Sequence, residues 1–260
     1  LQVLLFEALI RFDQALQEHS GNRLCVLSGP GSAAELLSEF LGAAEAQGSV
    51  KPSLYFNRHY EPWEALREAA VMETCRAHYA SFKPYDSYLF KDPSTCGPHI
   101  FNAVANGQHI FKAFWAGWHA AGKVRRAHPA PRKGTLRPSN LSLRCGSALV
   151  SVLDNAMTED RRLPGSALSR HPDNGQLLQA WQPLTEAGAW QRLEQFLYQG
   201  GLKRYQGSIT RDSGREAKES RLSAYFRLGL LSMVDVHWAV DRDIPQAQKW
   251  LRRMAWRDYS

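Results

Sequence analysis

Apolar and polar positions alternate in two patterns along the first part of the chain. From Leu4 to Phe12 the apolar residues recur at helical spacing, which predicts an opening helix. The short apolar run RLCVLS predicts a strand over 23–28. The next stretch, SGPGSAAELLSEFLGAAEA, returns to the helical pattern after a Gly and Pro turn. Helices and strands are therefore expected to alternate here.

The same alternation continues beyond residue 50. SLYFN, from Ser53 to Asn57, predicts a strand, and a helix is expected from about Glu61 to Tyr79 with Pro62 in its first turn. DSYLF, over 86–90, is interpreted as a further short strand or extended segment. Strands separated by helices favour a parallel sheet covered on both faces, so we predict a doubly wound α/β domain over 1–121.

The pattern changes in the second half. Residues 122–179 are rich in Pro, Arg, Ser and Gly, include KVRRAHPAPRKGTLRPS, and are predicted to be a long linker. Helical periodicity returns in AWQRLEQFLYQGGLKRY, then over 220–240 and again over 246–259. We therefore predict an all-helical part over 180–260, giving a fold that is α/β in its first part and all-α in its last.

Composition narrows the classes of protein. Hydrophobic residues make up 44% of the 260 residues, and no stretch approaches the roughly 20 apolar residues of a membrane span. The opening residues do not form a signal peptide, so an intracellular protein is expected, with its compartment open between candidates such as nucleus and chloroplast in a eukaryote. The net charge of +7 favours a polyanionic partner.

The cysteines predict neither a metal site nor a disulfide framework. They are scattered, without a C-x-x-C pair or a histidine at ligand spacing, and we expect reduced thiols at these positions: Cys25, Cys75, Cys96 and Cys145. No metal ligands are predicted.

The segment SRLSAYFRLGLLS, from Ser220 to Ser232, suggests an anion site. Ser220 is expected to be the N-cap of a helix whose free N–H groups donate hydrogen bonds to a phosphate. Ser223 would add a hydroxyl and Arg221 a cation. The alternative, from these residues alone, is a plain serine cap on a core helix.

Motifs on both sides of this segment carry a family resemblance. Upstream, WQPLTEAGAWQRLEQFLYQGGLKRY ends at Tyr205 and is followed by the pair Arg211-Asp212; downstream stands WLRRMAWRDYS. In this order they resemble the flavin-binding helical domain of the DNA photolyase and cryptochrome family. YFNRHYEPWEALREAAV and GQHIFKAFWAGW resemble segments of that family's α/β antenna domain.

The resemblance implies a fold. It is a Rossmann-like parallel-sheet antenna domain, incomplete because its opening strand is missing, then an interdomain linker and the first helices of an all-helical FAD-binding domain. Family members also continue beyond the tail that Ser260 ends here, so a fragment or shortened gene product is expected. A monomer is expected.

The resemblance also implies cofactors. FAD is expected with its phosphates at Ser220, Arg221, Leu222 and Ser223, while Glu219 stands where the family has threonine. Tyr205 and Trp250 match positions that contact the flavin. Glu64 aligns with a carboxylate that holds a second antenna chromophore, of the folate or deazaflavin type, in some members; a solvated glutamate, a core tyrosine and a core tryptophan are the plain alternatives.

Damaged DNA is the substrate that the resemblance implies. Arg211 matches an arginine that touches DNA, and Trp256, followed by Arg257, matches the ring that stacks on the damaged bases. Arg253 stands where repair enzymes carry a glutamate, which replaces a proton donor and acceptor with a permanent cation. No catalytic residue is assigned.

Three functions stay open at this point. The first is a blue-light DNA photolyase, a carbon–carbon lyase that transfers an electron through FAD to pyrimidine dimers. The second is a cryptochrome photoreceptor without repair activity and with a signalling protein as partner, which Arg253 favours. The third is a product that binds no flavin and acts as an interaction module or has no activity.

Overall fold

The chain packs as two compact units. The computed structural model describes residues 2–24, 27, 30–46, 52–86, 89–92, 96–98, 110–129, 131–136, 173–205 and 219–259. The first unit is Leu1–Tyr85 with Ala130–Trp181, and the second is Asp86–Pro129 with Gln182–Ser260. Residues 86–121, assigned from sequence to the α/β domain, belong to the second unit in this division. The sequence-based domain boundaries stay a prediction.

The first unit contains a parallel β-α-β arrangement. Strand β1 pairs with β2 in parallel, from Ser53 opposite Ser81 to Asn57 opposite Tyr85, and helix α3 connects them. The elements of this unit are α1 (Gln2–Ser20), α2 (Ala33–Ala46), β1 (Ser53–Asn57), α3 (Pro62–Ala77), β2 (Ser81–Tyr85) and a later helix (Asp173–Trp181). The predicted parallel sheet is confirmed.

One face of the sheet packs on helices. Leu41 of α2 and Cys75 of α3 are buried in one cluster, against which Leu54 of β1 and Phe82 of β2 pack. Residues on β1 alternate between exposed and half-buried, and Tyr55 is 64% exposed. The prediction of a sheet covered on both faces is therefore wrong for β1, because its alternate side chains face outward.

Helices α2 and α3 are joined by a polar link as well. The His78 ring, at the C-cap of α3, lies 2.8 Å from Ser38 Oγ through Nε2 and 3.3 Å from Glu45 Oε1 through Nδ1. Both partners belong to α2, so this contact fixes the spacing of the two helices.

Of the other predicted strands, one is not found in the described residues and one is described only in part. No strand includes the described residues of 86–90, which were predicted to form a short strand or an extended segment: β2 ends at Tyr85, and Leu89 and Phe90 lie buried in a bend. Strand β2 was not predicted because it contains Pro84. Proline cannot donate a hydrogen bond to a strand ladder and is confined to sheet edges. Half of the strand predicted over 23–28 lies outside the described residues.

The second unit is helical in its described residues. Its helices are α4 (Ile110–Ala120), α6 (Glu186–Tyr198), α7 (Ser223–Arg227), α8 (Met233–Ala239), α9 (Pro245–Met254) and α10 (Trp256–Tyr259), with α5 the helix Asp173–Trp181 of the first unit. Fully buried side chains from several of these helices and from the turn after α6 form the core, among them Leu193, Leu202, Tyr225 and Val236.

The predicted helix over 220–240 is in fact two helices. Gly229 adopts a left-handed φ of 72° after α7. Ser232 then caps α8, because its Oγ accepts hydrogen bonds from the N–H groups of Val234 at 3.1 Å and Asp235 at 3.4 Å. No helix in the described part of the chain combines the length and apolar character that crossing a membrane requires.

Gly188 provides a test of the packing of α6. A Cβ at this position would collide with the backbone oxygen and ring of Pro183, so Gly188→Ala should destabilise the second unit by about 1–3 kcal/mol. Gly175→Ala in α5 is the matched control, since a Cβ there meets no atom within 4 Å and alanine favours a helix. Urea midpoints of both variants measure the difference; equal midpoints would contradict the packing.

Candidate functional site

A cleft in the second unit brings together residues of three segments. It has a volume of about 210 Å³ and lies beside α6, the turn that follows α6, and the segment before α7. Its lining residues are Arg192, Gln195, Phe196, Gln199, Gly201, Arg204, Glu219 and Ser220. Two guanidinium groups thus face one carboxylate, and the cleft has an excess of positive charge.

The turn after α6 depends on two glycines. Gly200 has a left-handed φ of 86°, and a Cβ on Gly201 would lie 2.6 Å from Phe196 Cδ2. The turn brings the N–H of Leu202 within 2.8 Å of the Phe196 carbonyl, while Arg204 Nη2 donates to the Gln199 carbonyl at 3.4 Å. Arg204 is therefore held at the cleft by the path of the backbone.

Aromatic side chains form the wall behind the cleft. The Phe196 ring lies 5.0 Å from the Trp250 ring and 6.5 Å, edge to face, from the Tyr205 ring. Burial raises the pKa of Tyr205, and the charge of nearby Arg253 acts in the opposite direction. The structure thus brings the sequence-predicted Tyr205 and Trp250 together around Phe196, with the charge of Arg253 near Tyr205.

The predicted helix cap at Ser220 is wrong. Helix α7 begins at Ser223, its N-cap is Leu222, and no side chain caps it. The reason is that Arg221 adopts a left-handed φ of 51°, which turns the chain away from helical geometry. Ser220 lines the cleft, whereas Leu222 is buried and Ser223 is exposed.

Of two other predicted residues, one is outside the described part of the chain and one lies in the first unit. Arg211 lies outside the described residues. Glu64 is in α3 of the first unit and forms an ion pair with Arg67 one turn along, next to Trp63, which is 68% exposed. Within the described residues, no group of three or more His, Cys, Asp or Glu side chains could hold a metal ion.

The predicted DNA-contacting residues lie at the end of the second unit. The Trp256 ring stacks on the Phe111 ring of α4, with centroids 3.8 Å apart and planes 3° from parallel, and Trp256 is 37% exposed. The Arg252 guanidinium lies 5.3 Å from the Phe111 centroid, and that of Arg257 lies 5.3 Å from the Phe226 centroid. Arg253 is exposed on α9.

Asp258 was missed by the sequence analysis as a structural residue. Its carboxylate accepts hydrogen bonds from the N–H groups of Phe90 at 3.1 Å and Lys91 at 3.2 Å and from Trp118 Nε1 at 3.1 Å. The Lys91 ammonium donates to the carbonyls of Trp118 and Gly122. These contacts join α10 to α4 and to the segment before it.

The polar side of the cleft was missed too. Arg192 and Gln195 of α6 and Gln199 at its C-cap recur every three or four residues, and this spacing is the signal that could have predicted one polar face.

The chain matches one protein family and resembles several solved structures. The family described as DNA photolyase matches residues 2–133, about half of the chain. A bacterial class III photolyase from Agrobacterium tumefaciens has a similar structure, with a TM-score of 0.66 and 17% identity over 98% of this chain and 48% of that one. A comparison with curated protein sequences found no match.

Two further solved structures are similar. An archaeal photolyase from Sulfolobus tokodaii, determined with two FAD molecules, has a TM-score of 0.57 and 17% identity over 99% of this chain and 46% of that one. A cryptochrome from Synechocystis has a TM-score of 0.61 and 16% identity over 98% of this chain and 49% of that one. The chain spans about half the length of these structures.

The fold is therefore that of a photolyase-type α/β part followed by helices, as predicted from the motifs. The chain belongs to the DNA photolyase family.

The Asp258 contacts predict a pH dependence of stability. Burial raises the pKa of this carboxyl from 3.8 to about 6, although the three N–H donors and Arg257 lower it. The folded state therefore binds more protons between pH 3.8 and 6, and stability falls as the pH rises through this window.

Comparison with Asp258→Asn isolates this effect. The unfolding free energy of the unchanged protein relative to the variant should decline by about 2 kcal/mol from pH 4 to pH 7, the part of a two-unit shift that falls in this range. Denaturant titrations at several pH values measure it. Parallel pH profiles for the two proteins would contradict the assignment.

Proposed function

We propose that this protein is part of a photolyase-type flavoprotein that binds FAD and uses blue light to drive electron transfer to pyrimidine dimers in damaged DNA. Family membership supports the proposal, and the similar archaeal photolyase was determined with FAD. The single observation that carries it is the cleft where Arg192, Arg204 and Ser220 lie beside Phe196.

The residues of the cleft fit a diphosphate. Guanidinium groups recognise phosphate oxygens through two N–H donors at once, and the Ser220 hydroxyl supplies another donor. Glu219 opposes an anion, but the two arginines outnumber it. At about 210 Å³ the cleft is smaller than a typical site for a drug-sized molecule, so we assign it to the diphosphate portion of the dinucleotide.

The chain's own residues would hold and shield the cofactor. Bound FAD supplies the light absorption and the electron chemistry. Arg192 and Arg204 hold the phosphates, and the buried rings of Phe196 and Trp250 exclude water from the wall behind them. Because burial raises the pKa of Tyr205, its phenol keeps its proton at neutral pH and is available as a hydrogen-bond donor.

On the DNA side, we propose that Trp256 stacks on the extruded bases, with Arg257 and Arg211 binding phosphate. The stack on Phe111 supports this role, since it holds the indole flat while part of the ring stays exposed. Glu64 stays a candidate for binding a second, folate- or deazaflavin-type chromophore.

A cryptochrome function is the second candidate. Arg253 is exposed on α9 and can only donate hydrogen bonds, whereas repair members have a glutamate here that both donates and accepts. A protein that absorbs light without repairing DNA, and signals to another protein, would tolerate this cation. Illumination of dimer-containing DNA with the FAD-loaded protein distinguishes the two, because only a photolyase restores the pyrimidines.

The cleft is tested by Arg204→Gln. Loss of a charge-assisted phosphate contact should weaken FAD binding roughly ten- to hundredfold, measured by quenching of flavin fluorescence in titrations of the full chain. Lys203→Gln is the matched control, because it removes the same charge from an exposed neighbour that does not line the cleft. Equal losses in both variants, or no FAD uptake by the unchanged protein, would refute the site.

The DNA role of Trp256 is tested by Trp256→Ala. Binding of the FAD-loaded protein to dimer-containing DNA should weaken by about 1–3 kcal/mol, the usual contribution of a base stacked on an aromatic ring. Trp63→Ala removes an indole that is also exposed, in the first unit, and should leave the affinity unchanged. Unaltered DNA affinity after Trp256→Ala would assign the ring to packing against Phe111.

A further inference from the structure

A second cationic site lies in the second unit, on residues that do not overlap the cleft. The exposed Trp238 ring, in α8, has the Arg126 guanidinium 4.4 Å and the Arg242 guanidinium 5.4 Å from its centroid. Trp238 is 37% exposed, and both arginines are exposed. We call these three residues the Trp238 surface.

The side chains of this surface are fixed by contacts underneath. Trp238 Nε1 donates to the Arg125 carbonyl at 2.8 Å, which ties the indole to the segment that carries Arg126. Arg242 Nη2 lies 2.6 Å from His237 Nε2. Burial, together with the charges of Arg242 and Lys91, lowers the pKa of His237 to about 4, so the ring is neutral at pH 7 and accepts this hydrogen bond.

The balance of charge here is positive. Residues 121–129 carry Lys123, Arg125 and Arg126 and no carboxylate. Among the described residues neither Arg126 nor Arg242 forms an ion pair with a carboxylate. Three acids lie nearby in sequence: Asp235 is half-buried within reach of the Arg125 charge, Asp241 accepts a hydrogen bond from the N–H of Asp243 at 3.0 Å, and Asp243 is exposed. The four cations Lys123, Arg125, Arg126 and Arg242 outnumber these three carboxylates.

From this geometry we infer that the Trp238 surface binds the sugar–phosphate backbone of a nucleic acid. The exposed Arg126 guanidinium lies over the indole and can direct its in-plane N–H groups to phosphate, which suits bidentate recognition. Arg242 donates one Nη2 hydrogen bond to His237 and has its remaining N–H groups for a phosphate oxygen. Two such groups on one ring lose little side-chain entropy when they bind, because the ring and His237 already hold them. The inference rests on the proposed function only in taking DNA as the polyanion.

The contact would be independent of sequence and of damage. It contains cations for phosphates and no side chain placed to read a base, so it would position the protein on DNA and leave lesion recognition to other residues. Counterion release then makes its contribution dependent on salt, with a slope of about 0.9 per phosphate neutralised on a duplex.

The experiment measures binding of the full chain to an undamaged 30-base-pair duplex over a range of salt concentrations. The double variant Arg126→Gln with Arg242→Gln should bind about tenfold more weakly at 0.1 M salt, with a salt slope smaller by about 1.8. Arg11→Gln with Arg76→Gln removes the same net charge from exposed helix positions of the first unit and is the matched control.

A third variant, Trp238→Leu, separates fixed geometry from charge alone. It keeps both cations but removes the ring beneath them, so affinity should fall about two- to fivefold with the salt slope nearly unchanged. Circular dichroism and the urea midpoint confirm that each variant is folded.

The outcomes are distinct. Equal slopes for the two double variants would overturn the inference, and so would stronger competition by polyglutamate than by unlabelled duplex, which would identify an acidic protein as the partner. Because the readout uses undamaged DNA and needs no flavin, a chain that fails to bind FAD can still support this site. A chain that binds FAD but shows no change of slope removes this site alone.

Discussion

The hydrogen bonds of the Asp258 carboxylate connect distant segments of the second unit. It accepts hydrogen bonds from the backbone N–H groups of Phe90 and Lys91, which lie 168 and 167 residues earlier in the chain, and from the Trp118 indole of α4. A carboxylate in such surroundings is tolerated because its oxygens are hydrogen-bonded. Since it fixes α10 against α4, it also sets the distance at which Trp256 meets Phe111, and the candidate DNA-stacking ring depends on it.

The cleft depends on a different constraint, the close approach of the backbone at Gly201 to Phe196. Any side chain at Gly201 would displace the ring that forms the cleft wall. The same ring packs on Trp250, which is 2% exposed and lies on the buried face of α9. Phe196 therefore contributes both to core packing and to the shape of the candidate cofactor site. A substitution at Trp250 should also change the shape of the cleft.

Sequence patterns predicted the elements that local periodicity specifies and missed those that depend on distant contacts. Helix α3 was predicted with Pro62 in its first turn and β1 from a short apolar run, whereas β2 was missed because Pro84 interrupts its pattern. The cap at Ser220 was wrong, since the left-handed conformation of Arg221 has no signature in an arginine. Motif resemblance gave the right family and named Tyr205, Trp250 and Ser220, but not Asp258, whose partners are distant in sequence.

The charges around the cleft bear on both candidate functions in the same way. Arg192 and Arg204 line it, and Arg253 lies close enough to Tyr205 to oppose the rise in its pKa. Such a potential favours an anionic ligand, and it also stabilises further negative charge that forms on that ligand, whether a lesion or a signalling change follows. In the proposed function, repair and sensing therefore differ in what reaches the cofactor. We expect that difference to depend on the exposed face near Trp256 and on Arg253, whose guanidinium donates hydrogen bonds but accepts none.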